Sequence, residues 1–486
     1  MRYQIPEPVK QLSGPIVIYG TGEIAEQYYE ELSALSMQGQ IAFFMNTSPT
    51  ITEFKGKPVH ALEEVQQIAQ RGGYTYLIAS YGTAMVLAEN LYAIGITNST
   101  VHFPVPVALS EEESFLPLLI KPVTHICFYP PVEDSAALED LQARVHWYLP
   151  NYNDLTILLP EAANCSKGEL ASNLNECDLL LVWNKANLAD EAIREYKFKM
   201  ACVDPKYLVT RDADIYRRLY YWTLSAQDKK GYVEQSESNF ASMLKRNADK
   251  KQACVFGTGP SLQTVYQYKF DDYFKVVVNG AVKSKELLAH IEPDILATSD
   301  ALNFSYCKFG EVFRQNAMSL MQQDKVYTVI PDICVPLMSV HYPEMKHKFI
   351  GLAMSSDLYH FPATDKLSVK ETWNVVTRFA IPIASAVAQE IYIMGCDGTD
   401  KFEEKVWEHS KNVEHDELLK VAYEAHTSHF EMHTSLKAYF DNHCRIMNEL
   451  LAYGETCGKK YHSITASHIP ALATRYDKLL EQQMNS

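Results

Sequence analysis

Four short apolar runs between residues 253 and 394 each end in residues able to hold an anion or move a proton. Ala253–Phe256 enters Gly257-Thr258-Gly259, after which Pro260, Ser261 and Leu262 open a helical segment. Proline suits a first helical turn, where its missing N–H is not needed. Beyond such a turn, unpaired backbone N–H groups and the positive helix end converge, and this is chemistry for a phosphate. Lys275–Val278 ends in Asn279-Gly280, Ile295–Ala297 at Ser299-Asp300, and Ile391–Met394 in Gly395-Cys396-Asp397. In an open parallel sheet, residues just past the carboxyl ends of strands line the ligand crevice. Gly257, Gly259, Ser261, Asn279 and Asp300 are therefore expected to face one nucleotide-sized cleft. The competing reading is a purely structural turn. Leu262 stands where G-x-G-x-x-G has its third glycine, so an ordinary dinucleotide fingerprint fits poorly.

Asp300 and Asp397 both close strands, where a carboxylate can bind a metal, position a sugar or cap a helix. His426, His429 and His433 follow i, i+3 and i+7 spacing, so they can share one helical face. The H-E-x-x-H order of a zinc helix is absent; the chain reads His429-Phe-Glu-Met-His433. A general base, a metal ligand and a packed histidine remain the three readings, and a base near neutral pH is the chemistry histidine suits best.

Alternating β and α segments must position these groups. Residues 1–105 read as a Rossmann-like module: strands Pro15–Tyr19, Ile41–Met45, Tyr74–Ala79 and Thr100–Phe103 alternate with helices. Its Gly20-Thr21-Gly22 turn is followed by Ala25 at the last fingerprint position. Asn46, not an acid, ends its second strand, so the ribose partner of an NAD site is missing. Residues 106–235 are expected to form a middle α/β region with strands His125–Tyr129, Leu155–Leu159, Asp178–Trp183 and Lys199–Val203. Residues 236–451 form the central, nucleotide-binding module, and 452–486 a C-terminal tail with a last strand at Lys459–Ile464 and a terminal helix. The fold class is α/β, with several doubly wound modules and a helical C-terminal tail.

Composition excludes some classes. A chain of 486 residues with 47% hydrophobic content is globular and holds several domains. A formal net charge of −16 argues against a nucleic-acid binder. No apolar run reaches the length of a membrane span, and the first residues lack a signal-peptide core. Ten scattered cysteines without C-x-x-C suit a reducing cytoplasm.

The order G-T-G-P-S-L, V-V-N-G-A, P-D-I-L-A-T-S-D, N-V-V-T-R-F-A and I-Y-I-M-G-C-D resembles a domain shared by three related families. They are the motility-associated-factor proteins (flagellin glycosyltransferase-like), the bacterial family-42 sialyltransferases and the archaeal 6-hydroxymethylpterin diphosphokinases. The resemblance covers roughly residues 240–451. It implies that Gly257, Thr258, Gly259, Pro260, Ser261 and Leu262 cradle the phosphate of a CMP-sugar, with Asn279 on the nucleotide. Thr377 would stand at a Thr/Ser-Gly turn, with Arg378 in place of the glycine. Asp397 would follow Gly395, and His433 would be the general base with His429 beside it. No tyrosine lies between Asp397 and Tyr423, so Lys405, Trp407 or His409 would replace the family's tyrosines at the leaving phosphate. The implied reaction is inverting transfer of a nonulosonic acid, of sialic or pseudaminic type, from CMP to a hydroxyl on a flagellin-like protein or a glycan. No resident cofactor is implied. One alternative is diphosphoryl transfer from ATP to a pterin alcohol, with Mg²⁺ on Asp300 and Asp397; another is a non-catalytic nucleotide-sugar sensor.

Overall fold

The strands of the central module, apart from two short ones at its edges, are apolar along most of their length, as strands covered on both faces must be. In the computed structural model eight of them pair, all in parallel: β1 (Gln252–Phe256), β2 (Phe274–Val278), β3 (Ile295–Ala297), β4 (Tyr327–Pro331), β5 (Phe349–Ser356), β6 (Ser368–Lys370), β7 (Glu390–Met394) and β8 (Lys460–Ser463). Their order across the sheet is β6-β5-β4-β3-β2-β1-β7-β8. The structure describes residues 3–11, 14–69, 72–80, 84–106, 123–150, 156–158, 167–203, 220–221, 224–356, 358–372, 374–400, 409–411 and 436–476.

Three helices cover one face: α1 (Ala226–Arg246), α4 (Ile381–Val387) and α5 (Leu436–Thr456), where α2 is Lys285–Ile291 and α3 is Lys308–Met321. Phe240 and Met243 of α1, Ile383 and Ala384 of α4, and Met447 and Leu450 of α5 pack on Val255, Val276, Ile295 and Ile393. The small residues of α4 allow that close approach. On the opposite face Phe256 meets Phe270 edge-on, with ring centres 4.9 Å apart.

The chain separates into two units, residues 1–206 with 218–227, and the remainder. The first unit holds two parallel layers. One is a six-stranded sheet whose parallel strands run Lys57–Ala61, Ile41–Asn46, Ile16–Tyr19, Thr75–Ile78 and Val101–His102, with Glu53–Phe54 antiparallel at one edge. The other is four-stranded: Thr156–Leu158, His125–Tyr129, Leu179–Val182, Met200–Cys202. Parallel sheets flanked by helices make this a mixed α/β protein of Rossmann-like layers, as its alternating pattern predicts. The strand expected at Lys459–Ile464 is β8, and within the tail Pro470–Ala473 is helical. β5 and β6 were not expected, although β5 is the apolar run F-I-G-L-A-M. No helix among the described residues is long and apolar enough to cross a membrane.

Candidate functional site

In this strand order, β2 to β6 build outward on one side of β1, while β7 and β8 lie on the other. Connections leave β1 and β7 in opposite directions, and it is at the carboxyl ends beside such a switch point that open parallel sheets place their ligand crevice. Both strands end there in a glycine turn, and the two turns interlock. Gly257 N donates to Met394 O at 2.8 Å, and Gly259 N to Gly395 O at 2.8 Å. A Cβ on Gly257 would collide with the Gly395 carbonyl, and one on Gly259 with the Asp397 carboxylate. Gly259 has φ −70°, which any residue adopts. Glycine is needed there for space, whereas Gly395, at φ +71°, is also needed for its backbone.

The amide expected to meet a phosphate has a partner inside the protein. Ser261 N donates to Asp397 Oδ2 at 3.1 Å, at the start of the 3₁₀ helix Pro260–Gln267. The carboxylate sits where an external anion was expected. Burial pushes the Asp397 carboxyl above its ordinary range, while the Ser261 hydroxyl and amide and the nearby His468 pull it back. A segment just past β8 locks the arrangement. Thr465 Oγ1 bonds Ser261 Oγ at 2.9 Å, Ser467 Oγ donates to Cys396 O at 2.7 Å, and His468 N donates to Asp397 O at 2.6 Å. Leu262 is fully buried, so the position of a third fingerprint glycine is filled by a core side chain. Thr258 O accepts from Ser410 N at 2.7 Å, and Thr258 Oγ1 lies 3.0 Å from His409 Nδ1. The exposed His409 imidazole therefore rests on the glycine turn.

One strand over, Asn279 follows β2 with φ +39°, a left-handed conformation that asparagine tolerates better than most residues. Its Oδ1 is buried and has no hydrogen-bond partner. An unpaired buried acceptor costs about 1–3 kcal/mol, a cost that a bound donor group would remove. Asp300 caps the short helix Ala301–Phe304, accepting from Leu302 N at 3.0 Å. Thr377 is buried in a π-helical turn, Val376–Ala380, that leads into α4. Its hydroxyl is taken up by Thr372 Oγ1 at 3.0 Å and Asn374 O at 3.1 Å. Arg378, partly buried, follows it in the same turn. Asp300 and Asp397, the Mg²⁺ ligands of the diphosphokinase alternative, thus serve two different backbone amides. Among the described residues no group of three or more His, Cys, Asp or Glu is placed to hold a metal.

His426, His429 and His433 lie outside the described residues, as do Lys405 and Trp407. His468, Thr465 and Ser467 reach the glycine turns from the far end of the chain and were not expected there. Their only signal is a polar T-A-S-H run directly after a strand. Lys283, which closes the turn begun by Asn279, was not expected at the site either.

No family model matches the chain, and no curated protein matches it. Two solved structures do. One is a variant of the sialyltransferase CstII in complex with CMP, at 11% identity and a TM-score of 0.29, covering 47% of this chain and 88% of that one. The other is CstII from Campylobacter jejuni in complex with cytidine-5'-monophosphate, at 12% identity and a TM-score of 0.25, covering 44% and 79%. At those scores the likeness is a weak structural neighbourhood.

Proposed function

We propose that residues 236–476 form a nucleotide-sugar transferase of the sialyltransferase type. It would move a nonulosonic acid from a CMP donor to a hydroxyl on a protein or a glycan. The observation that carries this reading is Asn279: a buried, partnerless acceptor held at positive φ, one strand away from two interlocked glycine turns at the switch point. A buried acceptor that costs the fold stability at the carboxyl end of a strand suits a donor group on a ligand.

In the reaction an acceptor oxygen attacks the anomeric carbon, its proton passes to a base, and the bond from that carbon to the CMP phosphate breaks. His433 is the base on this reading, with His429 beside it. Gly257–Leu262 shape the floor under the donor, and the His409 imidazole, propped on Thr258, stands beside the departing phosphate. Asp397 holds the helix start in place.

The test is a thermal-shift series of CMP, CDP, UDP, GDP and ATP, with and without Mg²⁺. A ligand at 100 times its Kd adds about 2.7 kcal/mol. CMP should stabilise the protein without Mg²⁺; a response only to ATP with Mg²⁺ would favour diphosphoryl transfer. His433→Ala should then lower kcat by about 10²–10⁴ with CMP affinity unchanged. If turnover survives that change, the base is sought at His409 or His468.

A further inference from the structure

We infer that Lys283 is an anion-recognition residue that takes the carboxylate of the donor sugar; the inference rests on the nucleotide-sugar reading above. Asn279–Lys283 is a single turn leaving the carboxyl end of β2, and α3 begins beyond the carboxyl end of β3. Both are on the crevice side of the sheet. Lys283 is half-buried, with Nζ 4.2 Å from the centre of the Phe309 ring on α3. Among the described residues that ring is its one partner: it makes no ion pair and no hydrogen bond. Burial pushes its ammonium below the usual lysine range, and no carboxylate acts in the opposite direction.

Three other lysines withdrawn from water are provided for. Lys199 donates to the carbonyls of Leu174, Asn175 and Cys177, and Lys459 to Ala388 O. Lys275 has Asp294 close by to favour its charge. The chain has 60 carboxylate side chains against 44 Lys and Arg, so a partner would be easy to supply. An ammonium withdrawn from water with only a phenyl face beside it is held for an anion that comes from outside.

The choice of anion follows from spacing. Adjacent strands lie about 4.8 Å apart, so a group beyond β2 is one strand removed from the glycine turn of β1. A nonulosonic acid carries its carboxylate on the same carbon as the leaving phosphate. A donor with its phosphate beside the His409 imidazole, which rests on the β1 turn, therefore brings its carboxylate toward the β2 turn. Asn279 Oδ1, an acceptor on that same turn, suits a neighbouring hydroxyl or amine and would repel a phosphate oxygen.

Calorimetry on the full chain tests this with three ligands: CMP, CMP-sialic acid and the methyl ester of CMP-sialic acid, without acceptor. Lys283→Met should weaken CMP-sialic acid at least tenfold, leave CMP within twofold, and keep the melting temperature. Lys283→Arg should recover most of the loss. Wild type should bind the ester as weakly as Lys283→Met binds the acid. Equal losses for CMP and CMP-sialic acid would assign the cation to the phosphate and overturn the proposal, as would no loss for either. If wild type binds neither ligand, the nucleotide-sugar reading fails and takes this one with it. If wild type binds CMP and Lys283→Met loses nothing, this one fails alone.

Discussion

The chain contains Gly-Thr-Gly twice, at Gly20 and at Gly257, each time just after a strand with neighbours from both directions of a parallel sheet, and each time with an asparagine ending the next strand. The two turns use these parts in opposite ways. In the first, Asn46 Nδ2 donates to Thr21 Oγ1 at 2.9 Å, so asparagine and turn bond each other. The helix behind it, Glu23–Ala34, starts at Gly22 with no side chain on its amides and open space where a Cβ would be. In the second, the helix start is capped by Asp397, and it is Asn279 that lacks a partner. The glycines mark where a chain can turn sharply at a switch point. What the crevice can recognise depends on which neighbouring polar groups the fold leaves unspent.

Three pairs of measurements would break or sharpen this contrast. The largest difference is expected between Gly259→Ala and Gly22→Ala. The first forces a methyl against the Asp397 carboxylate and the Gly395 carbonyl and should cost about 1–3 kcal/mol. The second meets nothing within 4 Å and should change stability by less than about 0.5 kcal/mol. Urea unfolding of both variants decides; equal costs would mean the two turns are packed alike.

Next come the asparagines. Asn279→Gly keeps the left-handed backbone and removes the unpaired acceptor, so CMP affinity should fall about tenfold, roughly 1.4 kcal/mol, with stability unchanged or raised. Asn46→Gly should leave CMP affinity alone. A loss of CMP binding in the second variant but not the first would place the nucleotide in the wrong unit.

The smallest effect concerns Asp397. Its folded-state pKa is raised, chiefly by burial, so the native state holds the proton more tightly than the unfolded chain does. Stability from this group is present at low pH and is lost as pH rises through the raised value. Asp397→Asn keeps an oxygen for the Ser261 amide and cannot ionise. Relative to wild type, the variant should gain stability as pH rises from about 4 toward neutrality. A relative loss over that window would mean the ionised carboxylate is worth more in the fold than its burial costs.

The framework of the candidate site was legible because strand ends are local events. A run such as V-V-V-N-G or I-Y-I-M-G-C-D announces both the strand and the residue that leaves it, and Gly257, Asn279, Asp300 and Gly395 all lie at carboxyl ends as read. The side-chain partners were not legible. Nothing near Ser261 says that its amide is met by Asp397, 136 residues away, or its hydroxyl by Thr465, 204 residues away. Thr377 was placed at a Thr/Ser-Gly turn by its position in a motif, and nothing local says that its hydroxyl bonds Thr372 and Asn374. Capping and burial are decided by what packs alongside, and a strand order with a switch point brings together segments that no local pattern relates.

That strand order also sets a timetable for folding. β1 can find β2 across a loop of about twenty residues, but its other neighbour, β7, arrives far later: Gln252 and Glu390, which face each other across that seam, are 138 residues apart. Loop-closure entropy makes the second pairing about 1.7 kcal/mol harder to initiate than the first. The β1–β7 seam carries both glycine turns, so the crevice is the part of the sheet that forms late and opens first. A refolding experiment should therefore recover strand signal before it recovers ligand binding, with an interval set by the slow, non-local closure of that seam.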